Sequence, residues 1–362
     1  MTWSFPIGSL FGSELRVHAT FFLLLAWIGA ASWIAYGPAS AAISVVYVLA
    51  LFVCVVAHEF GHALMARRFG IATPDITLLP IGGLARLERM PEKPGQEIAV
   101  ALAGPAVNVV IWLVLVALGA RPDIATFAQL GEGGAAAFWG SLAALNLYLV
   151  LFNMIPAFPM DGGRVFRAAL SYGIGRVAAT RLAARSGQAL AFLFGFLGLT
   201  WGSPVLVLIA IFIFVAAGAE SADVSLRDMA RHLRARDAMI VHFETLRPAD
   251  TLQVASNAVI RTTQHEFPVV DAGGGLRGFL TRNALFAALA AEGSRMRPVA
   301  EAMTEGIPTV PLAAPLDAAL DALQDSGAPA VAVTEPLGRM VGYITRENIG
   351  ELMVISGRER KM

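Results

Sequence analysis

The sequence predicts a polytopic α-helical membrane protein, about six transmembrane helices with a membrane-associated β-hairpin loop, followed by a C-terminal α/β tandem module. Three observations predict it. Hydrophobic residues make up 56% of the 362 and charged residues only 15%, far from the balance of a soluble domain. Asp, Glu, Lys and Arg are absent from Val17 to His58, Ile98 to Ala120, Gly133 to Met160 and Ser186 to Ala219, and these blanks are long enough to cross a bilayer. Past Ser221 the composition turns soluble and an internal repeat begins: Ala238-Met239 returns as Ala302-Met303, and Gly278-Phe279-Leu280-Thr281-Arg282 as Gly342-Tyr343-Ile344-Thr345-Arg346, both at a spacing of 64.

Counting about 20 apolar residues per span places helices at 17–36, 42–67, 97–119, 139–155, 187–201 and 204–219. Tyr36-Gly37-Pro38-Ala39-Ser40 and Thr200-Trp201-Gly202-Ser203-Pro204 carry glycine and proline where tight hairpins should turn. The apolar run from Ala19 starts after polar residues and is long enough to span, so it reads as a retained first helix rather than a signal peptide. With six spans, Arg16, Arg67, Arg68, Arg86, Arg89, Lys93, the group Arg164 to Arg185 and the block Arg227 to Arg236 share one side, and the opposite loops hold only Arg121. By the positive-inside rule that side is the cytosol, with both termini there, in a multi-pass protein of the cell membrane.

Between the second and third spans, Ile71 to Leu87 is too rich in Pro74, Pro80, Gly82 and Gly83 for a helix, and its Ile, Thr and Leu content suits short strands. Residues 165–184 mix arginines with apolar residues, as an amphipathic interfacial helix or a plain connecting helix would. In the repeat, helices are expected at Thr251 to Ile260 and Leu316 to Gln324, with strands at Phe267 to Val270 and Ala330 to Val333. Domain limits follow: a membrane domain over 1–220, a linker over 221–236, and repeat units over 237–292 and 298–356. Formal net charge is zero, without like-charge runs, which gives no nucleic-acid surface. The single cysteine, Cys54, excludes an intramolecular disulfide and reads as a small buried residue.

Chemistry concentrates at His58-Glu59-Phe60-Gly61-His62. Histidines at i and i+4 leave one helix face together and can share a tetrahedral metal, zinc above all, with Glu59 beside them as a base. An ionised glutamate in or near hydrocarbon costs about 2.5–3.5 kcal/mol even on the lenient insertion scale, and a metal is the compensating partner. Zinc sites of this kind take a third protein ligand. Asp161 is the candidate, placed after a charge-free span in Asn153-Met154-Ile155-Pro156-Ala157-Phe158-Pro159-Met160-Asp161-Gly162-Gly163. Two prolines and two glycines force irregular backbone there, tolerated near membrane depth only against protein or a cavity; a turn or helix cap is the alternative use of an Asp before Gly-Gly.

The His58–His62 motif, Gly104-Pro105-Ala106-Val107-Asn108 and the Asn-x-x-Pro-x-x-Pro-x-Asp-Gly pattern from Asn153 together resemble the site-2 protease family of intramembrane zinc metalloproteases, over about residues 1–220. The repeat resembles a tandem pair of cystathionine-β-synthase (CBS) domains. The resemblance implies one zinc held by His58, His62 and Asp161, Glu59 as general base, and a transmembrane helix, unwound into extended form, as substrate. It implies single-span regulatory proteins as partners, such as anti-sigma factors or membrane-tethered transcription factors. The loop around Ile81-Gly82-Gly83-Leu84 could pair with the extended substrate by strand addition. Asn108 and Asn153, amides in apolar spans, suit the substrate backbone or the oxyanion; an interhelical hydrogen bond is the alternative for each. CBS pairs commonly bind adenine nucleotides through a Gly-x-x-Thr-x-x-Asp pattern. Thr281 and Thr345 match it, but Ala284 and Asn348 stand where the Asp should be. A structural role, or homodimerisation through the CBS pair, is the competing expectation.

Two other readings compete. Transporters and channels also join membrane helices to CBS pairs, but a pore has no simple use for a glutamate between two histidines followed by an aspartate after a proline-rich break. A catalytically silent membrane binding module would be expected to lack one of these groups, and none is missing.

Overall fold

The structure, a computed structural model, describes residues 3–80, 82–88, 90–91, 93–122, 134–290, 294–336 and 338–359. The chain divides into two compact units, Met1–Ala222 and Asp223–Met362.

The first unit opens with β1 (Ser4–Leu10) and β2 (Ser13–His18), joined through Phe11 and Gly12 at positive φ. Then come α1 (Ala19–Tyr36), α2 (Pro38–Arg68), β3 (Asp75–Leu79), β4 (Gly82–Arg86), α3 (Pro94–Ala117), α4 (Gly134–Asn153), α5 (Asp161–Ile174), α6 (Arg176–Thr200) and α7 (Pro204–His232), whose residues from Asp223 onward belong to the second unit. Among the described residues α1, α2, α3, α6 and α7 are long and apolar enough to cross a membrane, and a shorter apolar helix covers Ala137–Asn153. The polytopic helical class is as expected from the charge-free blanks.

Three helix bounds differ from expectation, each for a local reason. Gly175, at φ 77, breaks the chain where no Cβ penalty applies. The interfacial stretch expected over 165–184 is therefore split between α5 and the start of α6, and α6 extends 11 residues before the expected 187, with Arg181 and Arg185 exposed on it. α7 continues to His232 because good helix formers and no Gly or Pro follow Gly218, so most of the expected linker is helical. α2 begins at Pro38, where proline fits the first turn, and closes with Arg67 and Arg68 against the helix C-terminus.

The hairpin expected between α2 and α3 is there: β3 and β4 pair antiparallel, Thr77 opposite Leu84 and Leu78 opposite Gly83. It is half of a larger sheet, ordered β1-β2-β3-β4, because β2 pairs in parallel with β3 from Glu14 opposite Asp75 to Val17 opposite Leu78. Ile76 on β3 is buried against Phe60 and Ala63, which seats the sheet on the motif-bearing end of α2.

The second unit holds two repeat copies. The first contains α8 (Ala235–Ala238), α9 (Leu252–Arg261), β5 (Glu266–Val270), β6 (Leu276–Thr281) and α10 (Arg282–Leu289); the second contains β7 (Thr309–Pro311), α11 (Leu316–Ser326), β8 (Val331–Thr334), β9 (Met340–Ile344) and α12 (Arg346–Glu359). Leu252, Phe267, Leu280 and Leu285 fill one core, and Leu316, Leu323, Val331 and Ile344 the other. The rings of Phe279 and Tyr343 meet edge to face, centroids 5.3 Å apart, between the copies.

Candidate metal centre

His58 and His62 stand one turn apart on α2, 7% and 4% exposed, with ring centroids 4.7 Å apart at 80°. Their Nε2 atoms approach to 3.0 Å. Asp161, the first residue of α5, places Oδ2 3.2 Å from each Nε2. Among the described residues these three form the one group of His, Cys, Asp and Glu able to share a metal ion.

α3 supports the pair from alongside, through residues four apart on one face. Val100 O accepts from His62 Nδ1 at 2.8 Å, and Asn108 Oδ1 accepts from His58 Nδ1. Between them lies Gly104, where a Cβ would land on both Nε2 atoms. Gly61 lets the two helices meet: a Cβ there would be 2.6 Å from Ala103 O. The glycines of the two motifs are thus spacing devices for the histidines.

The donor set fits a zinc ion. With each Nδ1 hydrogen given to an acceptor, both Nε2 atoms present lone pairs towards a carboxylate oxygen, an arrangement that repels itself unless a cation lies among the three. Tetrahedral ligands at about 2.0–2.1 Å from zinc lie about 3.3 Å from one another, close to the 3.0 and 3.2 Å found.

The segment carrying Asp161 is held by close backbone packing. A Cβ on Gly162 would meet Ile155 O at 2.5 Å, and one on Gly163 would meet Ala157 O at 2.6 Å. The loop therefore folds back over the first turn of α5. Phe158 lies under the Arg167 guanidinium, 4.9 Å from it. Arg167 is wholly buried, donates from Nε to Glu97 Oε1 at 2.7 Å and from Nη1 to Glu220 Oε1 at 2.6 Å. This network joins α3, α5 and α7 behind the aspartate.

Glu59, next to His58 on α2, reaches β4, its Oε2 accepting from Ala85 N at 3.3 Å. Gly83 passes so close that a Cβ would lie 2.5 Å from Glu59 Cγ. β4 is an edge of its sheet. Since Ala85 turns its N–H away from β3, strand alternation turns the backbone groups of Gly83 the same way. Ile81 lies outside the described residues.

Asn108 makes interhelical hydrogen bonds. It is fully buried with both ends of its amide engaged, Oδ1 by His58 and Nδ2 by Asn146 Oδ1 at 2.8 Å. It holds a histidine, because the close approach of α3 to α2 sets position 108 level with His58. Asn153 ends α4 half-buried, and no described hydrogen bond joins it to the ligand cluster. Sequence reasoning missed Asn146, although the cost of an amide in an apolar span, the signal that marked Asn108 and Asn153, applied to it equally. It missed the Arg167–Glu97 pair too, having grouped Arg167 with cytosolic surface charges. In the second unit Thr281 caps α10, accepting from Ala284 N at 3.1 Å, and Thr345 Oγ1 donates to Asn348 Oδ1 at 2.6 Å.

Comparison with known proteins matches residues 46–122 and 119–194 to the model of peptidase family M50, and 235–291 and 299–354 to the CBS domain. The zinc metalloprotease MJ0392 of Methanocaldococcus jannaschii is 32% identical over 273 residues, covering 75% of this chain and 77% of that one. The chain belongs to peptidase family M50. That membership makes it a zinc metalloprotease of the site-2 type, and the separate CBS matches give it tandem CBS domains. Another relative, Rip3 of Mycobacterium tuberculosis, is 28% identical over 375 residues, covering 96% of this chain and 92% of its own. Among solved structures, the site-2 protease from Methanocaldococcus jannaschii matches with 33% identity and a TM-score of 0.46, covering 60% of this chain and 95% of that one.

Proposed function

We propose that the protein cleaves within the transmembrane segments of membrane-tethered regulatory proteins such as anti-sigma factors or transcription factors, with His58, His62 and Asp161 holding zinc and Glu59 as general base. The observation that carries this is the free edge of β4 running beside Glu59. A helical substrate shields its amides with its own hydrogen bonds and must be drawn out into a strand before cleavage. The edge groups of Gly83 offer such a strand partners within reach of the base.

When bound, zinc supplies Lewis acidity towards the scissile carbonyl and towards water. Glu59 takes a proton from the attacking water and returns it to the leaving amine nitrogen. Asn153, at the mouth of the segment leading to Asp161, is the amide left to meet the carbonyl oxygen as it gains charge. Burial of the histidines and Asp161 keeps them from bulk water and holds their electrostatic effect strong. The arginine distribution favours cytosolic termini and a cytosolic CBS pair. There the pair would tune cleavage, by homodimerising or by taking an adenine nucleotide beside Thr281 and Thr345.

The test is cleavage of a panel of single-span substrates by the purified chain in liposomes, beside Glu59→Gln, with zinc measured on both and ATP, ADP or AMP added in turn. The expected result is cutting within the span by the parent and zinc without cutting in the variant. A parent that takes up no zinc would overturn the assignment of the site; cleavage rates unmoved by all three nucleotides would remove them from the regulation.

A further inference from the structure

The polarity of the metal centre is decided by a hydrogen-bond chain that starts away from it, on α4. Resting on the zinc reading above, we infer that Asn146 is a positioning residue for the centre: it fixes which way the Asn108 amide points and, through Asn108, which nitrogen of His58 faces the metal.

The chain begins at a group with only one role. Leu142 O, a backbone carbonyl, can only accept, and Asn146 Nδ2 donates to it at 2.9 Å. The same nitrogen reaches Cys54 Sγ at 3.4 Å, a weak acceptor. Both N–H groups of Asn146 are then committed, and Oδ1 is left facing Asn108 Nδ2 at 2.8 Å. Turning the Asn146 amide over would set its oxygen against the Leu142 oxygen. Asn108 must therefore show its nitrogen to Asn146 and its oxygen to His58. His58 answers by carrying its proton on Nδ1, which leaves the Nε2 lone pair for the ion.

With Asn108 reversed, its N–H would face His58 Nδ1 and move the imidazole proton to Nε2. That nitrogen lies 3.2 Å from Asp161 Oδ2, so the proton would bridge to the carboxylate and occupy the place of the ion. Asn108 and Asn146 are both 0% exposed and Cys54 is 6% exposed. No solvent is at hand to satisfy a flipped amide, which is what makes the selection firm. His62 needs no such device, since its Nδ1 meets Val100 O directly. The asymmetry accounts for two buried asparagines behind one histidine and none behind the other.

The experiment measures zinc affinity by competition with a chromogenic chelator on the full chain in detergent, with the cobalt(II) absorption spectrum as the signature of tetrahedral binding. Asn146→Leu releases Asn108 to turn over, and a loss of about 10–100-fold in affinity is expected, the range for outer partners of a metal-bound histidine. The second variant is Asn108→Asp in the Asn146→Leu background. A carboxylate has no wrong way round, so it accepts from His58 Nδ1 without help from position 146, and affinity and cobalt spectrum should return to those of the parent. Parent-like affinity in Asn146→Leu would overturn the inference. So would weakened binding that Asn108→Asp fails to restore, since that is what a packing role alone produces. If Asn146→Leu does not fold, Asn146→Ala carries the same comparison. A parent that binds no zinc refutes the site itself, a result distinct from either.

Discussion

Gly104→Ala separates the metal centre from the helix that bears it. A Cβ at 104 would lie 2.7 Å from His58 Nε2, against an ordinary contact of 3.4 Å, so the ring must retreat by about 0.7 Å unless α3 itself moves off. Structural metal sites hold their distances within about 0.2 Å, which makes this displacement several times what the centre tolerates. It acts on both ligating nitrogens at once, so zinc affinity should fall by more than the ~10–100-fold that follows loss of an outer partner. The methyl group should nevertheless help α3, since Ala exceeds Gly by about 0.8–1.0 kcal/mol in a helix interior. Zinc content by mass spectrometry and unfolding temperature in detergent, both on the full chain, give the two readings. The expected pair is zinc lost with the metal-free unfolding temperature kept. A variant that holds one zinc with parental affinity would refute the claim that Gly104 clears the space in which the ligands meet.

Two further outcomes follow from the same contacts. Gly83→Val places a side chain against Glu59, where even the Cβ would be 3.0 Å from Oε1; cleavage should fall by about 10²–10⁴-fold, the usual worth of a positioned acid–base group, with zinc content unchanged. Undiminished cleavage would separate β4 from the base. Arg167→Met leaves Glu97, only 2% exposed, with Arg176 Nη1 at 3.2 Å as its remaining cation. Breaking a buried pair costs about 3–5 kcal/mol, visible as a lower unfolding temperature that Glu97→Leu in the same chain should largely recover. Equal melting of Arg167→Met and the parent would make the network a bystander.

Much of the membrane unit was legible because the bilayer leaves few options: a charge-free stretch of the right length has to be helical to satisfy its own backbone. The bounds slipped where the break was conformational rather than chemical, as at Gly175, which no change of composition announces. The β3–β4 hairpin could be read from its prolines and glycines. The first two strands could not, because β2 finds its partner 61 residues along the chain, Glu14 opposite Asp75, and parallel pairing at that distance leaves no local mark. The repeat was legible because the same anchors recur at one spacing, so its two copies had to fold alike.

By itself the sequence determined which groups the protein has for its chemistry: two histidines on one helix face, a glutamate between them, and an aspartate after a broken span. Helix periodicity and the cost of burying charge are local or additive, and a sequence carries both. What only the tertiary structure decided is direction. It brought Asp161 to within 3.2 Å of both imidazoles, set Val100, Gly104 and Asn108 along the histidines, turned Glu59 to an open strand edge, and buried Asn146 behind Asn108. Each depends on how closely two helices or a helix and a sheet approach, and on which end of an amide faces a carbonyl. Those are properties of packed neighbours, and no single stretch of the chain contains them.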